Sequence, residues 1–188
     1  EWTVIPQKLP RHQRVGFMGF GTMAEPPARA LNSLGFDVAA WVRKERQDSD
    51  IEMFCGTEAL PVFLGRTDIL VCLLPLTGET EGILNADTFA ALPEGAAVIN
   101  LGRGAHLVDE DLIAALDSGH LSAATLDATK PEPLPGDSPL WLHERVTIMP
   151  HTARRVRPDT VGPQVAEAVR LDRAGKPQIW AVDRSAGY

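Results

Sequence analysis

The stretch Ile99 to Leu112, INLGRGAHLVDEDL, ends an apolar run on two glycines that bracket an arginine, Arg103. A guanidinium in such a place can hold a carboxylate through two parallel hydrogen bonds. Further along stand Glu132, in the proline-rich segment TKPEPLPGDSP, and His151, after the apolar run VTIMP. An imidazole can give a proton to a carbonyl oxygen as hydride arrives at carbon, and a carboxylate can orient the ring and stabilise its charged form. The three residue types together suit reduction of a 2-oxo acid, with Arg103 anchoring and polarising the acid, His151 as proton donor and Glu132 as its partner. His12, His106, His120 and His143 show no such grouping and read as ordinary residues, and Trp141 reads as a packing anchor.

A second group of residues would hold the hydride donor. VGFMGFGTMAEPPARAL places Gly19, Gly21 and Ala24 as G-x-G-x-x-A between an apolar run and a helical pattern. Gly19 permits the tight turn, Gly21 lets the backbone of the turn, with Thr22 and Met23, approach a pyrophosphate, and Ala24 is small enough for close helix-to-strand packing. Pro26 and Pro27 lack amide donors, which predicts a helix that starts late, near Ala28, with its dipole further from the phosphates. An NAD site usually presents an acidic residue about 20 positions after the glycines. Here the second apolar run ends in Arg43 and Lys44, which suit a 2′-phosphate, so NADP(H) is the preferred cofactor and NAD(H) the alternative. The glycines around Arg103 would bring Leu101 and Gly102 close to the nicotinamide, and Asp127 would end the next strand at the same cleft.

These side chains need a frame that gathers strand ends. Apolar runs at 14–19, 37–42, 68–74, 96–101, 122–127 and 146–149 alternate with helical patterns at 28–34, 57–64, 85–92, 109–118 and 158–174. Near-continuous apolarity in the runs predicts strands buried on both faces, hence an α/β, doubly wound parallel sheet of the Rossmann-like dinucleotide-binding kind. Asn85 and Asp109 are expected to cap their helices, and Gly119 to stop the second. The prolines of 129–139 force an extended loop.

Composition limits the alternatives. The 188 residues suit one ordinary domain, and a net charge of −7 with pI near 5.2 argues against a nucleic-acid partner, although basic residues cluster at Arg43–Arg46 and Arg154–Arg157. No stretch reaches the roughly 18 apolar residues of a membrane span, and no signal-peptide layout opens the chain, so the expected location is cytoplasmic. Cys55 and Cys72 lack metal or redox spacing and read as reduced packing residues, and no metal is expected.

The stretches LVCLLPLTGETEGILNADTFAALPEGAAVINLGRGAHLVDEDLIAALDSGHL, LDATKPEPLPGDSPLW, VTIMPHTA and the ending VDRSAGY resemble the coenzyme-binding domain of the D-isomer-specific 2-hydroxyacid dehydrogenases, nearest to the glyoxylate/hydroxypyruvate reductase A branch. The resemblance implies that Arg103, Glu132 and His151 are the catalytic set, that Leu74, Pro75 and Leu76 line an NADPH site, and that the chain pairs as a homodimer. It also implies a preceding substrate domain, missing here, so that 1–13 is a linker, 14–175 the dinucleotide-binding domain and 176–188 a tail. The substrate class would be a small 2-oxo acid such as glyoxylate or hydroxypyruvate. Departures from the family pattern are Ala24 for a common glycine, the pair Pro26–Pro27, and LDAT where a bulkier Val-Phe pair is usual. Two readings of other classes stand beside this one. A nucleotide-binding or dimerisation module would lack turnover, and a methyltransferase using the same turn would leave Arg103, Glu132 and His151 without a task.

Overall fold

The structure, a computed structural model, describes residues 8–154, 156–178 and 181. Close contacts divide the chain into two units, Glu1–Pro150 and His151–Tyr188, each described by itself.

The first unit is built on one sheet of parallel strands: β1 (Arg14–Met18), β2 (Asp37–Val42), β3 (Glu52–Cys55), β4 (Ile69–Cys72), β5 (Ala96–Asn100), β6 (Leu121–Leu126) and β7 (Val146–Ile148). Their order is β3-β2-β1-β4-β5-β6-β7, so the chain reverses its direction of travel across the sheet between β3 and β4. That is the doubly wound order, and it opens a crevice beyond the carboxyl ends of β1 and β4. The flanking helices are α1 (Glu25–Ser33), α2 (Leu60–Gly65), α3 (Ala86–Ala91) and α4 (Asp109–Asp117).

Successive side chains of a strand point to opposite faces, and the two apolar layers follow that rule. Met18, Ala39, Trp41, Leu70 and Cys72 pack on one face against Phe63, Phe89, Leu112 and Leu116. Val15, Phe17, Val38, Ala40 and Val71 pack on the other against Phe20, Ala24 and Ala28. The expected burial on both faces therefore holds for β1, β2 and β4. It fails at β6 and β7, where Ser122, Ala123 and Thr147 are exposed. β3 was not expected, because four residues, exposed Glu52 and then three half-buried ones, are too short a run to show a period.

Local chemistry explains the boundaries. Asn85 caps α3 as expected, its Oδ1 accepting from the Thr88 amide at 3.1 Å. Asp109 does not cap α4: it lies inside the first turn with Glu110 and Asp111, the N-cap being Val108, where the three carboxylates still favour the positive helix end. Helix α1 begins at Glu25, earlier than expected. Pro26 and Pro27 fall in its first turn, where amides have no intrahelical acceptor, so their missing donors cost nothing. A tight turn feeds this helix, with the Ala24 and Glu25 amides both donating to the Gly21 carbonyl at 3.0 Å. Trp141 is half exposed, its Nε1 donating to the Pro135 carbonyl at 2.8 Å, and the neighbouring Leu140 is the buried anchor instead. Cys72 is a buried packing thiol and Cys55 a half-buried one, both free.

The second unit contains helix α5 (Pro158–Arg173), opened by proline, with its N-cap Arg157 paired to Asp159 of the first turn at 2.9 Å. Of the second basic cluster, residue 155 lies outside the described residues, as do 1–7 of the expected linker and 179, 180 and 182–188 of the expected tail. Among the described residues no helix is long and apolar enough to cross a membrane.

Candidate functional site

Parallel strands put all their carboxyl ends on one edge, so the segments after β1, β2, β4, β5 and β6 share it. Gly19 leaves β1 with a φ of +91°, donates its amide to the Trp41 carbonyl at 2.9 Å, and would bring a Cβ within 3.0 Å of the Leu73 carbonyl oxygen. Glycine is required there on both counts. A Cβ on Gly21 would meet nothing within 4 Å. Gly21 thus faces open space in front of α1, the room a pyrophosphate against this backbone would fill. The fit is local: Pro26 and Pro27 remove two amides from the helix end, which leaves the turn before it, with Thr22 and Met23, to offer amides to such a group.

Beyond β2, Arg43 lines an open pocket with Arg46, Met53, Cys55 and Gly56. Exposed Lys44 is not among its lining residues. Arg43 reaches Glu79 at 3.2 Å, an exposed pair of small energetic weight that a phosphate can displace. Arg46 is engaged otherwise. It donates to the Phe20 carbonyl at 2.5 Å, pairs with Glu25 at 3.2 Å, and lies 4.8 Å over the Phe20 ring. Arg29 adds bonds to Glu25 and Asp48, at 2.8 and 2.7 Å, tying α1 to the segment after β2. Hydrogen bonds from Arg29 and from the Asp50 and Ile51 amides draw the Asp48 carboxyl down to about 2.

Arg103 leaves β5 on a loop fastened from inside. Asn100, fully buried, accepts the Gly102 amide at 3.1 Å and donates to the Arg103 carbonyl at 3.0 Å. His106, also fully buried, accepts the Arg103 amide on Nδ1 at 2.9 Å, while its own amide donates to the Arg103 carbonyl at 3.1 Å. The flanking glycines serve space rather than rotation. A Cβ on Gly102 would lie 2.7 Å from the His106 ring, and one on Gly104 would lie 2.0 Å from the backbone of Thr129. These glycines thus have an internal steric reason beside the expected approach of the backbone to the nicotinamide. The Arg103 side chain is exposed, with one guanidinium nitrogen donating to the Gly102 carbonyl at 2.9 Å.

The residues named from sequence divide accordingly. Leu101 follows β5 with its amide on the Cys72 carbonyl at 3.0 Å, and Asp127 follows β6, buried, with its amide on the Asn100 carbonyl at 3.0 Å. Leu74 and Pro75 are half-buried and Leu76 exposed after β4, where Thr80 closes a turn by donating to the Pro75 carbonyl at 2.7 Å. Glu132 is exposed on the loop whose Thr129 backbone abuts Gly104, so this edge of the sheet carries both Arg103 and Glu132. His151 opens the second unit, exposed, with a φ of +51°. Asn100, His106 and Thr80 escaped the sequence reading. The only signal for the first two was their placement three residues either side of Arg103, a spacing that allows side chain-to-backbone closure of a loop.

A family profile described as the D-isomer specific 2-hydroxyacid dehydrogenase NAD binding domain matches residues 1–153. The glyoxylate/hydroxypyruvate reductase A of Salmonella newport is 40% identical over 187 residues, covering 100% of this chain and 60% of its own length. A D-isomer specific 2-hydroxyacid dehydrogenase from Xanthobacter autotrophicus, solved with NADPH and MES, is 42% identical with a TM-score of 0.96, over 100% of this chain and 77% of that one. The NADPH-dependent glyoxylate/hydroxypyruvate reductase from Sinorhizobium meliloti, solved with NADP and sulfate, is 37% identical with a TM-score of 0.94, over 100% of this chain and 61% of that one.

Proposed function

Because the chain belongs to the D-isomer specific 2-hydroxyacid dehydrogenases through their NAD binding domain, we propose that it serves NADPH-dependent reduction of a small 2-oxo acid, glyoxylate or hydroxypyruvate, to the 2-hydroxy acid. The observation that carries this reading is an exposed guanidinium at the carboxyl edge of the sheet, on a loop locked by Asn100, by His106 and by the Thr129 backbone. Such a group recognises a carboxylate bidentately without having to order its own backbone first.

Gly19, Gly21, Thr22 and Met23 would hold the diphosphate, Arg43 and Lys44 the 2′-phosphate, and Leu74, Pro75, Leu76, Leu101, Gly102 and Asp127 the nicotinamide side. The bound reduced nicotinamide supplies the hydride. Arg103 binds the carboxylate and draws electron density from the adjoining carbonyl. His151 is assigned protonation of the carbonyl oxygen, and Glu132 support of the charged imidazole, on residue chemistry and family pattern. Homodimerisation and a cytoplasmic site of action are proposed on family membership alone; sedimentation velocity checks the first.

The chain spans 60% of the length of the curated relatives it matches. The open space at Gly21 and the pocket lined by Arg43 also suit a second reading, a nucleotide-binding module without turnover. Calorimetric titration with NADPH and NADH, followed by steady-state NADPH oxidation with glyoxylate, separates the two. NADPH binding with turnover supports the reductase, NADPH binding alone supports the module, and binding of neither nucleotide overturns both.

A further inference from the structure

We propose that His106 is a positioning residue for Arg103, and that the imidazole, through the Arg103 backbone, sets the affinity of the site for a substrate carboxylate. The inference rests on the assignment of Arg103 above and adds to it a named side chain with a required tautomer.

Four observations carry it. The ring is 0% exposed, so it contributes nothing to the surface and must be satisfied from within. Its Nδ1 accepts the Arg103 amide at 2.9 Å, which requires a neutral ring protonated on Nε2. Burial, the largest effect on the group, holds its pKa below the ordinary range and so favours that neutral form. Finally, Gly102 has no Cβ where one would sit 2.7 Å from the ring, so the loop is shaped around this imidazole.

The pairing is reciprocal. His106 donates its amide to the Arg103 carbonyl, and Arg103 donates its amide to the ring, closing a short cycle around Gly104 and Ala105. Arg103 therefore has both backbone polar groups engaged by one residue, with Asn100 sharing the carbonyl. At the opposite end of the ring, Nε2 is buried with no partner in hydrogen-bond geometry among the described residues, and the Pro75 backbone lies close to the imidazole. The ring thus touches both the expected cofactor segment and the loop of the expected carboxylate anchor. The ring accepts from the amide of the very residue that carries the guanidinium, so loss of the acceptor should displace Arg103 first.

The test compares His106→Leu, which deletes the acceptor, with His106→Asn, whose side-chain oxygen takes the place of Nδ1. Steady-state kinetics with glyoxylate and NADPH, run beside Arg103→Gln, and ¹⁵N NMR of the imidazole and of the Arg103 amide, form the readouts. Expected are a pyridine-type Nδ1 and pyrrole-type Nε2, and a displaced Arg103 amide resonance in His106→Leu. That variant should show a glyoxylate KM raised about 10-fold with the NADPH dissociation constant unchanged, and His106→Asn should recover most of the loss. A His106→Leu protein that folds and keeps its KM while Arg103→Gln loses its own overturns the proposal and leaves the Arg103 assignment intact. Unchanged KM in Arg103→Gln, or no glyoxylate turnover in the unaltered chain, removes that assignment and the proposal with it. If His106→Leu fails to fold, the tautomer in the unaltered protein and the KM of His106→Asn decide: a pyrrole-type Nδ1, or an Asn variant with a substrate affinity as poor as that of Arg103→Gln, overturns it.

Discussion

Gly104→Ala is the sharpest test of how the Arg103 loop is seated. A Cβ at this position would lie 2.0 Å from the Thr129 carbonyl carbon and 2.2 Å from its oxygen, where ordinary contact begins at 3.4 Å. The opposing atoms are backbone, so one of the two loops must retreat by about 1.4 Å. Overpacking of this kind costs roughly 1–3 kcal/mol. At roughly 2–4 °C per kcal/mol for a chain of this size, the melting temperature should fall by several degrees. Catalysis should suffer more than stability, because one loop carries Arg103 and the other Glu132, and a misplacement of about 1 Å can cost about 100-fold in rate. Gly136→Ala is the matched control, in the same proline-rich segment but with nothing within 4 Å of the Cβ it would gain and no positive φ. Thermal unfolding by circular dichroism and glyoxylate-dependent NADPH oxidation would be measured on both. If Gly104→Ala melts with the control and keeps its kcat/KM, the two loops are not packed as described and the preorganisation of Arg103 is refuted.

Other expectations are as direct. Arg43→Ala should weaken NADPH about 10-fold in calorimetry and leave NADH unchanged, since only the former carries a 2′-phosphate; equal losses for both would remove Arg43 from that role. His151→Ala should abolish glyoxylate turnover with NADPH binding kept, and unchanged turnover would sink the acid–base assignment. Cys72, whose thiol burial pushes up to about 11, should resist alkylation at neutral pH, whereas Cys55 beside Arg43 should react and be shielded by NADPH; mass spectrometry of the labelled peptides checks this. Acid should unfold the protein in two stages. Folded His106 takes up its proton at lower pH than the unfolded chain does, so stability falls as pH drops below about 6.5, and urea titrations should find that stage gone in His106→Asn. Asp48 titrates in the folded chain at about 2, below its ordinary range, so its contribution persists above that range and is lost as pH falls toward 2; Asp48→Asn should shrink the second stage without abolishing it, because Arg14 also holds the Asp68 carboxyl low.

The sheet was legible because its central strands are apolar on both faces, and the glycine turn because Gly19 needs both its φ and its missing Cβ. The candidate residues Arg103 and Glu132 came to one edge because parallel strands leave no other arrangement for segments that follow them. The unread parts depended on contacts between distant residues. β3 exists because Met53 aligns with Ala40 and because Ile51 is buried, neither of which a four-residue run reveals. His106 looked ordinary because its value lies in one hydrogen bond to a neighbouring amide. Arg46 stood in the sequence only as part of a basic run, and the fold shows it committed to Phe20 and Glu25. Trp141 reads as a buried anchor on size alone, whereas its indole nitrogen finds a carbonyl at the surface.

The consecutive prolines in the first turn of α1 also act on the chain before it folds. Two fixed φ angles thin out the shapes available to residues 24–28 in the unfolded state, an effect worth roughly 0.4–1 kcal/mol per proline where the native backbone accepts it. The segment in front of the open space at Gly21 is thereby stiff from the outset. An anion arriving there meets a surface that needs little ordering, so more of its contact energy remains as affinity and less is absorbed by settling the loop.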